Sequence, residues 1–340
     1  RLAQSPPMKV LLTGASGFVG SHILDTLRAR GVPVVLLLRP TSDPRFIADH
    51  LRSGRGKVEV RPGAVTDPTS LRAACRDVTH VIHCAGATKA VRAADFYAVN
   101  RAGAANVVAA VNERADQIRR LVHISSLAAC GPGTVERPAR EDDPPQPVSE
   151  YGRSKLAGEQ EVTGRARVPF TVIRPPAVYG PRDAEFLRLF KAVRSGWAPA
   201  LAGGRQPLSL VFAPDLATSI LLALEHPAAV GRTYHVAAPG TATGLEIIDV
   251  IAAAMGCRPR RLSLPGWLIR LSCAAAHAGS QLTRRASLLA HDKHRELLAP
   301  GWVTEARRLE TELGFVCPHR LAAGMAATLA WYRAQGWLPS

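Results

Sequence analysis

The sequence predicts a doubly wound α/β domain joined to a smaller, mostly helical C-terminal region, and three observations predict it. Short apolar runs alternate with helical patterns through the first half of the chain. A glycine-rich turn, Gly14-Ala15-Ser16-Gly17-Phe18-Val19-Gly20, follows the first of those runs and opens the first helix. Beyond Arg174 the alternation gives way to irregularly spaced helical patterns.

The first run, Met8 to Thr13, reads as a buried parallel strand. After it, Gly14 permits a tight turn, Gly17 permits close approach of the backbone to a pyrophosphate, and Gly20 lets the helix pack near the sheet. With Ser16, Phe18 and Val19 this loop marks a dinucleotide pocket, the helix N-terminus facing the negative charge. The helix continues over Ser21 to Arg30. Further strands are expected at Pro33 to Leu38, Lys57 to Arg61, Thr79 to Cys84, Leu121 to Ser125 and Phe170 to Arg174, with helices at Ala94 to Asn112 and Ser154 to Thr163. The stretch Pro132 to Pro147 is rich in proline and acidic residues and reads as a loop beside the site. Helical patterns at Glu185 to Ser195, Asp215 to Glu225, Glu246 to Met255 and Leu321 to Gln335 read as a lid. Leu208 to Phe212 and Thr233 to Val236 are expected to return to the large sheet. The expected division is 8–173 for the nucleotide-binding domain, with 207–238 returning to it, and 174–206 with 239–340 for the lid.

Composition narrows the function. The chain has 340 residues, 47% of them hydrophobic, enough to bury a large core or two smaller ones. Its six cysteines form no C-x-x-C pair and stand near no histidine cluster, which argues against a metal site and against a disulfide framework. The formal charge of +16 is spread as arginines among alanines and prolines, and no basic cluster is interleaved with stacking aromatics, so nucleic acid is not an expected partner. Pro265 to Leu271, with Arg284 and Arg285 further on, reads either as a buried helix or as a peripheral membrane contact. No run reaches the roughly 18 apolar residues of a bilayer span and no charged-then-apolar leader precedes the first strand, so a cytoplasmic location is expected, with Arg1 to Pro7 a frayed end.

Chemistry enters at Tyr151-Gly152-Arg153-Ser154-Lys155, where a tyrosine and a lysine four apart share one helix face. A lysine held close stabilises a phenolate and draws the tyrosine pKa from about 10 toward working pH, making Tyr151 a usable acid or base. The strand Leu121-Val122-His123-Ile124 delivers Ser125 and Ser126 to the carboxyl edge of the sheet, where Ser126 is placed to hydrogen-bond a substrate hydroxyl or carbonyl.

With these features, and with Val81 to Gly86, Tyr97 to Asn100 and Arg174 to Pro181 in the same order, the chain from Met8 to about Gly314 resembles the extended short-chain dehydrogenase/reductase family, also called the epimerase/dehydratase family. The likeness is nearest to the branch of 3β-hydroxysteroid dehydrogenases and dihydroflavonol reductases. It implies a Rossmann domain, a nicotinamide cofactor, and a catalytic set of Ser126, Tyr151 and Lys155. Tyr151 is then the acid/base, Lys155 binds the nicotinamide ribose while tuning Tyr151, and Ser126 orients the reacting oxygen. It also implies that Pro175 and Val178 lie against the nicotinamide, and that Val65, Cys84, Ala85, Gly86, Thr88, Asn100 and Ser125 complete the cofactor wall.

Four departures from the family pattern matter. Arg39 stands at the end of the second strand, where NAD users carry an acidic residue; with Thr41 and Ser42 it suits a 2′-phosphate, so NADP(H) is expected and NAD(H) is the alternative. Ala64 replaces an aspartate that contacts adenine, and Asp67 reads instead as the cap of the next helix. The arginine that clamps a sugar-nucleotide diphosphate is missing from Gln206 to Phe212, leaving Arg182, Arg188 and Arg205 as substitutes or as surface charge. Cys130 occupies a tyrosine position and reads as a pocket-shaping residue. Phe186, Trp197, Trp267 and Trp302 line a pocket or belong to the core. The resulting expectation is an oxidoreductase interconverting a secondary alcohol and a ketone on a small, apolar substrate. A sugar-nucleotide epimerase or dehydratase that recycles NAD, and a non-catalytic NADP-binding sensor or scaffold, are the alternatives. A homodimer paired through Ala94 to Asn112 and Ser154 to Thr163 is expected from the resemblance.

Overall fold

The computed structural model describes residues 7–52, 58–287 and 292–339. Arg1 to Pro6 and Lys57, which entered the expectations above, lie outside the described residues.

Seven parallel strands make the large sheet: β1 (Val10–Thr13), β2 (Val34–Leu38), β3 (Val58–Pro62), β4 (His80–His83), β5 (Arg120–Ile124), β6 (Phe170–Arg174) and, later in the chain, β11 (Arg232–His235). Their order is β11-β6-β5-β4-β1-β2-β3, a doubly wound sheet whose direction of winding reverses between β1 and β4. The strands match the expected runs to within a few residues. The inner strands β1 and β2 are apolar because both faces are covered, whereas the edge strand β3 is largely exposed and carries Glu59 and Arg61. Alternation then sorts the side chains: Leu12, Leu36, Ile82 and Val122 pack on one side, Leu11, Val35, Val81 and Leu121 on the other.

The first side is covered by α1 (Phe18–Ala29) and the second by α3 (Pro68–Ala74), α5 (Gly103–Asn112) and α7 (Glu150–Arg165), with the short α2 (Ala48–Arg52) following β2. Asp67 accepts from the Thr69 N–H at 3.0 Å as the N-cap of α3, the role read for it. The single helix expected over Ala94 to Asn112 is instead α4 (Ala93–Tyr97), a π-helical turn (Ala98–Ala102) and α5. Helical periodicity is blind to such a turn because it shifts the pattern by only one residue.

The lid is built from the strand pairs β7 (Ala177–Tyr179) with β10 (Leu210–Phe212), β9 (Pro207–Leu208) with β12 (Ala242–Thr243), and β8 (Trp197–Leu201) with β13 (Arg260–Leu264). Against them pack α8 (Ala184–Arg194), α10 (Gly244–Met255) and α14 (Leu321–Ala334), around Phe190, Ile251, Met325 and Tyr332. Leu208 to Phe212 therefore does not return to the large sheet; it pairs with β7 and β12, while Thr233 to His235 does join beside β6. Two later helices pack on the large sheet, one within the 207–238 stretch expected to return there and one from the stretch given to the lid. Leu216, Ile220 and Leu224 of α9 (Ala213–Glu225), and Leu309 and Leu313 of α13 (Arg307–Leu313), pack into the core of the large sheet. The short α6 (Leu127–Cys130), α11 (Gly266–Thr283) and α12 (Lys293–Leu297) complete the chain. Among the described residues no helix is long and apolar enough to cross a membrane.

Candidate active site

The carboxyl edge of β1 and β4 forms the nucleotide cradle. Gly14 has φ +77°, and a Cβ there would lie 2.6 Å from the Ala85 nitrogen, so the turn admits glycine alone. A Cβ on Gly20 would stand 2.0 Å from the Gly14 carbonyl oxygen, which is why α1 can begin so close to the loop. Gly17, the N-cap of α1, brings no side chain to the first-turn N–H groups of Phe18 and Val19, the donors a diphosphate takes. Thr13 Oγ1 accepts from the Ala85 N–H at 3.2 Å and fixes the Cys84-Ala85-Gly86 strand end beside Gly14. Buried Ser125 has a hydroxyl with no hydrogen-bond partner among the described residues. The cradle, the open helix terminus and this orphaned hydroxyl fit a dinucleotide.

Asn100 lies beneath that surface. Its amide accepts from the Ala87 N–H at 2.8 Å and donates to the Ala87 carbonyl at 3.0 Å and to Ser154 Oγ at 2.9 Å. All of its bonds go to the protein, so it clamps the Gly86 to Thr88 loop onto α7. Val65 is buried, its carbonyl accepting from Asn106 at 3.0 Å. Thr88 and Arg39 are exposed, Arg39 at the end of β2 with its N–H 3.2 Å from Ser42 Oγ. Pro175 is buried and accepts the Leu127 N–H at 2.8 Å, while Val178 packs partly into the sheet core; the neighbouring Pro176 and Ala177 reach the cavity described below.

Helix α7 carries Tyr151 and Lys155 as its sequence implies. Ser149 caps it, accepting the Gly152 N–H at 3.0 Å. Gly152 and Gly158 let it press on its neighbours: a Cβ on Gly152 would sit 2.3 Å from the Ala128 carbonyl oxygen, and one on Gly158 2.3 Å from that of Asn100. Buried Arg174 locks the helix to β6 through Glu159, with Nη2 to Oε2 at 2.7 Å and Nε to Oε1 at 3.0 Å.

Lys155 is buried, and Nζ donates to the Ile124 carbonyl at 2.7 Å. Burial lowers its pKa to about 8. Burial also keeps the neighbouring imidazoles of His83 and His123, 5.2 Å apart and tilted by 39°, neutral, and pushes the Cys84 thiol up to about 12. The local positive charge thus rests on Lys155. Tyr151 hydrogen-bonds Ser126, whose Oγ also accepts the Ala128 N–H at 3.1 Å. Burial pushes the phenol up to about 12, Glu296 adding to the rise and the Ser126 bond opposing it. The expected lowering of the Tyr151 pKa by Lys155 is therefore absent; the ammonium is directed at Ile124 instead, and Tyr151 holds its proton firmly.

Three residues escaped the sequence reading. Asp292 accepts the Glu150 N–H at 3.0 Å and Arg153 Nη2 at 2.9 Å, Glu296 accepts from Ser149 and Lys293, and the Lys293 ammonium lies 5.9 Å from the centre of the Tyr151 ring. A charged run far along the chain, with no motif around it, carried no signal that it would bind the N-terminus of α7.

Beside Ser126 and Tyr151 opens a cavity of about 620 Å³ with largely apolar walls, including Phe186, Leu189, Pro199, Leu201, Ile248 and Trp302. Phe186 and Trp302 thus line it, whereas Trp197 and Trp267 are 52% and 64% exposed and belong neither to the cavity nor to the core. Cys130 does not shape it: the side chain is buried with Leu127, Ala139 and Trp302, and burial raises its thiol pKa. Of the candidate clamp arginines, Arg182 pairs with Asp25 at 2.6 Å, Arg205 is exposed, and Arg188 reaches the wall while paired with Glu185 at 3.0 Å. Among the described residues no cluster of ligating side chains forms a metal site.

The chain is 33% identical over 334 residues to a ceramide reductase of Caulobacter vibrioides, covering 97% of this chain and 96% of the relative. A UDP-glucose 4-epimerase of Vibrio cholerae is 26% identical over 278 residues, covering 78% and 81%. In structure, the Bordetella bronchiseptica enzyme WbmG in complex with NAD superposes with a TM-score of 0.78 at 23% identity, over 99% of this chain and 97% of that one. Residues 10–237 match the profile of the NAD dependent epimerase/dehydratase family. On this match and the ceramide reductase likeness, the chain belongs to that family and is an NAD(P)-dependent enzyme.

Proposed function

We propose that the chain is an NADP(H)-dependent ketoreductase whose substrate is a long-chain lipid ketone, the keto form of a ceramide-type lipid. The observation that carries the reading is the apolar cavity of about 620 Å³ with Tyr151 and Ser126 in its wall. An apolar tail is stabilised by burial against those apolar walls, beside polar side chains that include Gln206, Lys293 and Glu296. The likeness to a ceramide reductase over nearly the whole chain supports the substrate class. Arg39 at the β2 edge supports a 2′-phosphate over the free ribose hydroxyls.

When bound, the nicotinamide supplies the hydride that reduces the carbonyl carbon. Ser126 holds the carbonyl oxygen, and Tyr151 gives that oxygen its proton as negative charge develops. A phenol whose pKa is held at about 12 is protonated at neutral pH, so Tyr151 suits an acid and the reducing direction. Lys155, whose Nζ donates to the Ile124 carbonyl at 2.7 Å and lies close to Gly86, would hold the nicotinamide ribose.

A second reading is a sugar-nucleotide epimerase, favoured by Arg188 at the cavity wall. Its guanidinium is engaged by Glu185 and 70% exposed, which weakens it as a diphosphate clamp. Purified enzyme is given NADPH with a keto ceramide-type lipid in mixed micelles, and separately UDP-glucose. Consumption of NADPH with the lipid, one equivalent per alcohol formed, is expected. Epimerisation of the sugar nucleotide without net NADPH loss would overturn the reading.

A further inference from the structure

We propose that α11 and the exposed face of the β8/β13 pair form a docking surface for an anionic lipid bilayer, seating the cavity mouth against the membrane. What passes into the cavity rests on the lipid reading above; the docking itself does not.

Helix α11 has 18 residues and buries three of them, Ile269, Cys273 and Ser280. On its exposed side Trp267, Leu271, Ala274, Ala278 and Leu282 recur in steps of three and four, one continuous stripe along the helix. Trp267, Leu271 and Leu282 are 64%, 58% and 87% exposed, a poor arrangement for a surface that meets only water. A second apolar surface lies on β8 and β13, the latter ending at Leu264 just before α11 begins. Register places Trp197 beside Arg260, Pro199 beside Leu262 and Leu201 beside Leu264, all on one face of the two-stranded sheet. Trp197, Leu201 and Leu262 are exposed there, and Pro199 and Leu201 are also cavity wall, so apolar surface runs unbroken from solvent to the cavity.

Charge identifies the occupant. From Val250 to His291 the sequence contains no aspartate or glutamate but six arginines, all exposed; Arg261 pairs with Asp249 at 2.6 Å, leaving Arg258, Arg260, Arg270, Arg284 and Arg285 for the rim. A cationic rim around an apolar stripe with an outward tryptophan suits anionic headgroups above an acyl boundary. The same charge opposes pairing with a second copy, which would bring two arginine-rich faces together. The helix lies on the surface and does not cross it.

Co-sedimentation of the full chain with vesicles of phosphatidylcholine alone, or with phosphatidylglycerol added, tests the proposal. Binding to the anionic vesicles that weakens with salt is expected. Arg284→Gln/Arg285→Gln should weaken it on the order of fivefold per arginine, and Trp267→Ser/Leu271→Ser/Leu282→Ser should abolish it at any salt. These side chains are exposed, so the melting temperature and NADPH affinity should be unchanged, as should turnover of a short, water-soluble ketone. Absence of vesicle binding, or binding indifferent to both sets of substitutions, would overturn the proposal. So would a stripe variant that turns a dimer into a monomer by light scattering while still binding vesicles. A lipid ketone that is not reduced while vesicle binding persists counts against the functional reading alone.

Discussion

Replacing Gly158 by alanine probes how tightly the catalytic helix is held. The new Cβ would lie 2.3 Å from the Asn100 carbonyl oxygen and 3.3 Å from its carbon, with Ala104 Cβ at 3.6 Å. The obstacle is backbone of the π-turn and cannot swing away. Relief requires α7 to retreat by roughly 1 Å, at an overpacking cost of about 1–3 kcal/mol, offset by about 0.5–1 kcal/mol of helix preference gained on losing glycine. A net destabilisation of about 1–2 kcal/mol is expected. The retreat also moves Lys155, one turn earlier on the helix, away from Ile124 and Gly86; a displacement of about 1 Å costs on the order of a hundredfold in rate. Gly164 on the same helix supplies the control, since a Cβ there meets nothing within 4 Å. Gly164→Ala should be neutral or slightly stabilising. Urea unfolding and NADPH-dependent turnover, measured on both variants, decide the matter. A Gly158→Ala protein as stable and as active as the parent would refute the idea that this close approach sets the site.

Three further outcomes follow from the same geometry. Tyr151→Phe removes the proton donor and should lower kcat by about 10²- to 10⁴-fold, with NADPH affinity, read by fluorescence titration, nearly unchanged. The folded-state pKa of Lys155 is depressed to about 8, so its charge is present below that pH and lost above it; the rate of carbonyl reduction should therefore fall as pH rises through about 8 in a pH-rate profile. Glu159→Gln leaves the buried Arg174 guanidinium without its carboxylate and should destabilise the fold by about 3–5 kcal/mol, measured as a shift in the urea midpoint.

What the sequence disclosed was local. The turn at Gly14, with its positive φ, and the close contact at Gly20 demand glycine, so their spacing reported the cradle directly. Strands buried on both faces announced themselves as apolar runs, and Asp67 declared itself a cap by its position before Pro68. Long-range placement left no such trace. Nothing in Asp292 to Glu296 foretold contact with Ser149, Glu150 and Tyr151 across the fold. The run Leu208 to Phe212 has the composition of a sheet strand whichever sheet it joins, and the apolar sequence around Trp267 reads more readily as a buried helix, whereas Trp267 and Leu271 are exposed. The direction in which Lys155 points is set by the β5 carbonyl edge, which spacing along one helix does not encode.

Isotope tracing tests the central claim most directly. The enzyme is incubated with NADPH deuterated at the transferable position and a keto ceramide-type lipid, and the lipid is analysed by mass spectrometry. The account predicts one deuterium on the new carbinol carbon, formed in step with NADP⁺ and absent with Tyr151→Phe. Unlabelled lipid, together with a UDP-sugar epimerised at constant NADPH, would contradict it.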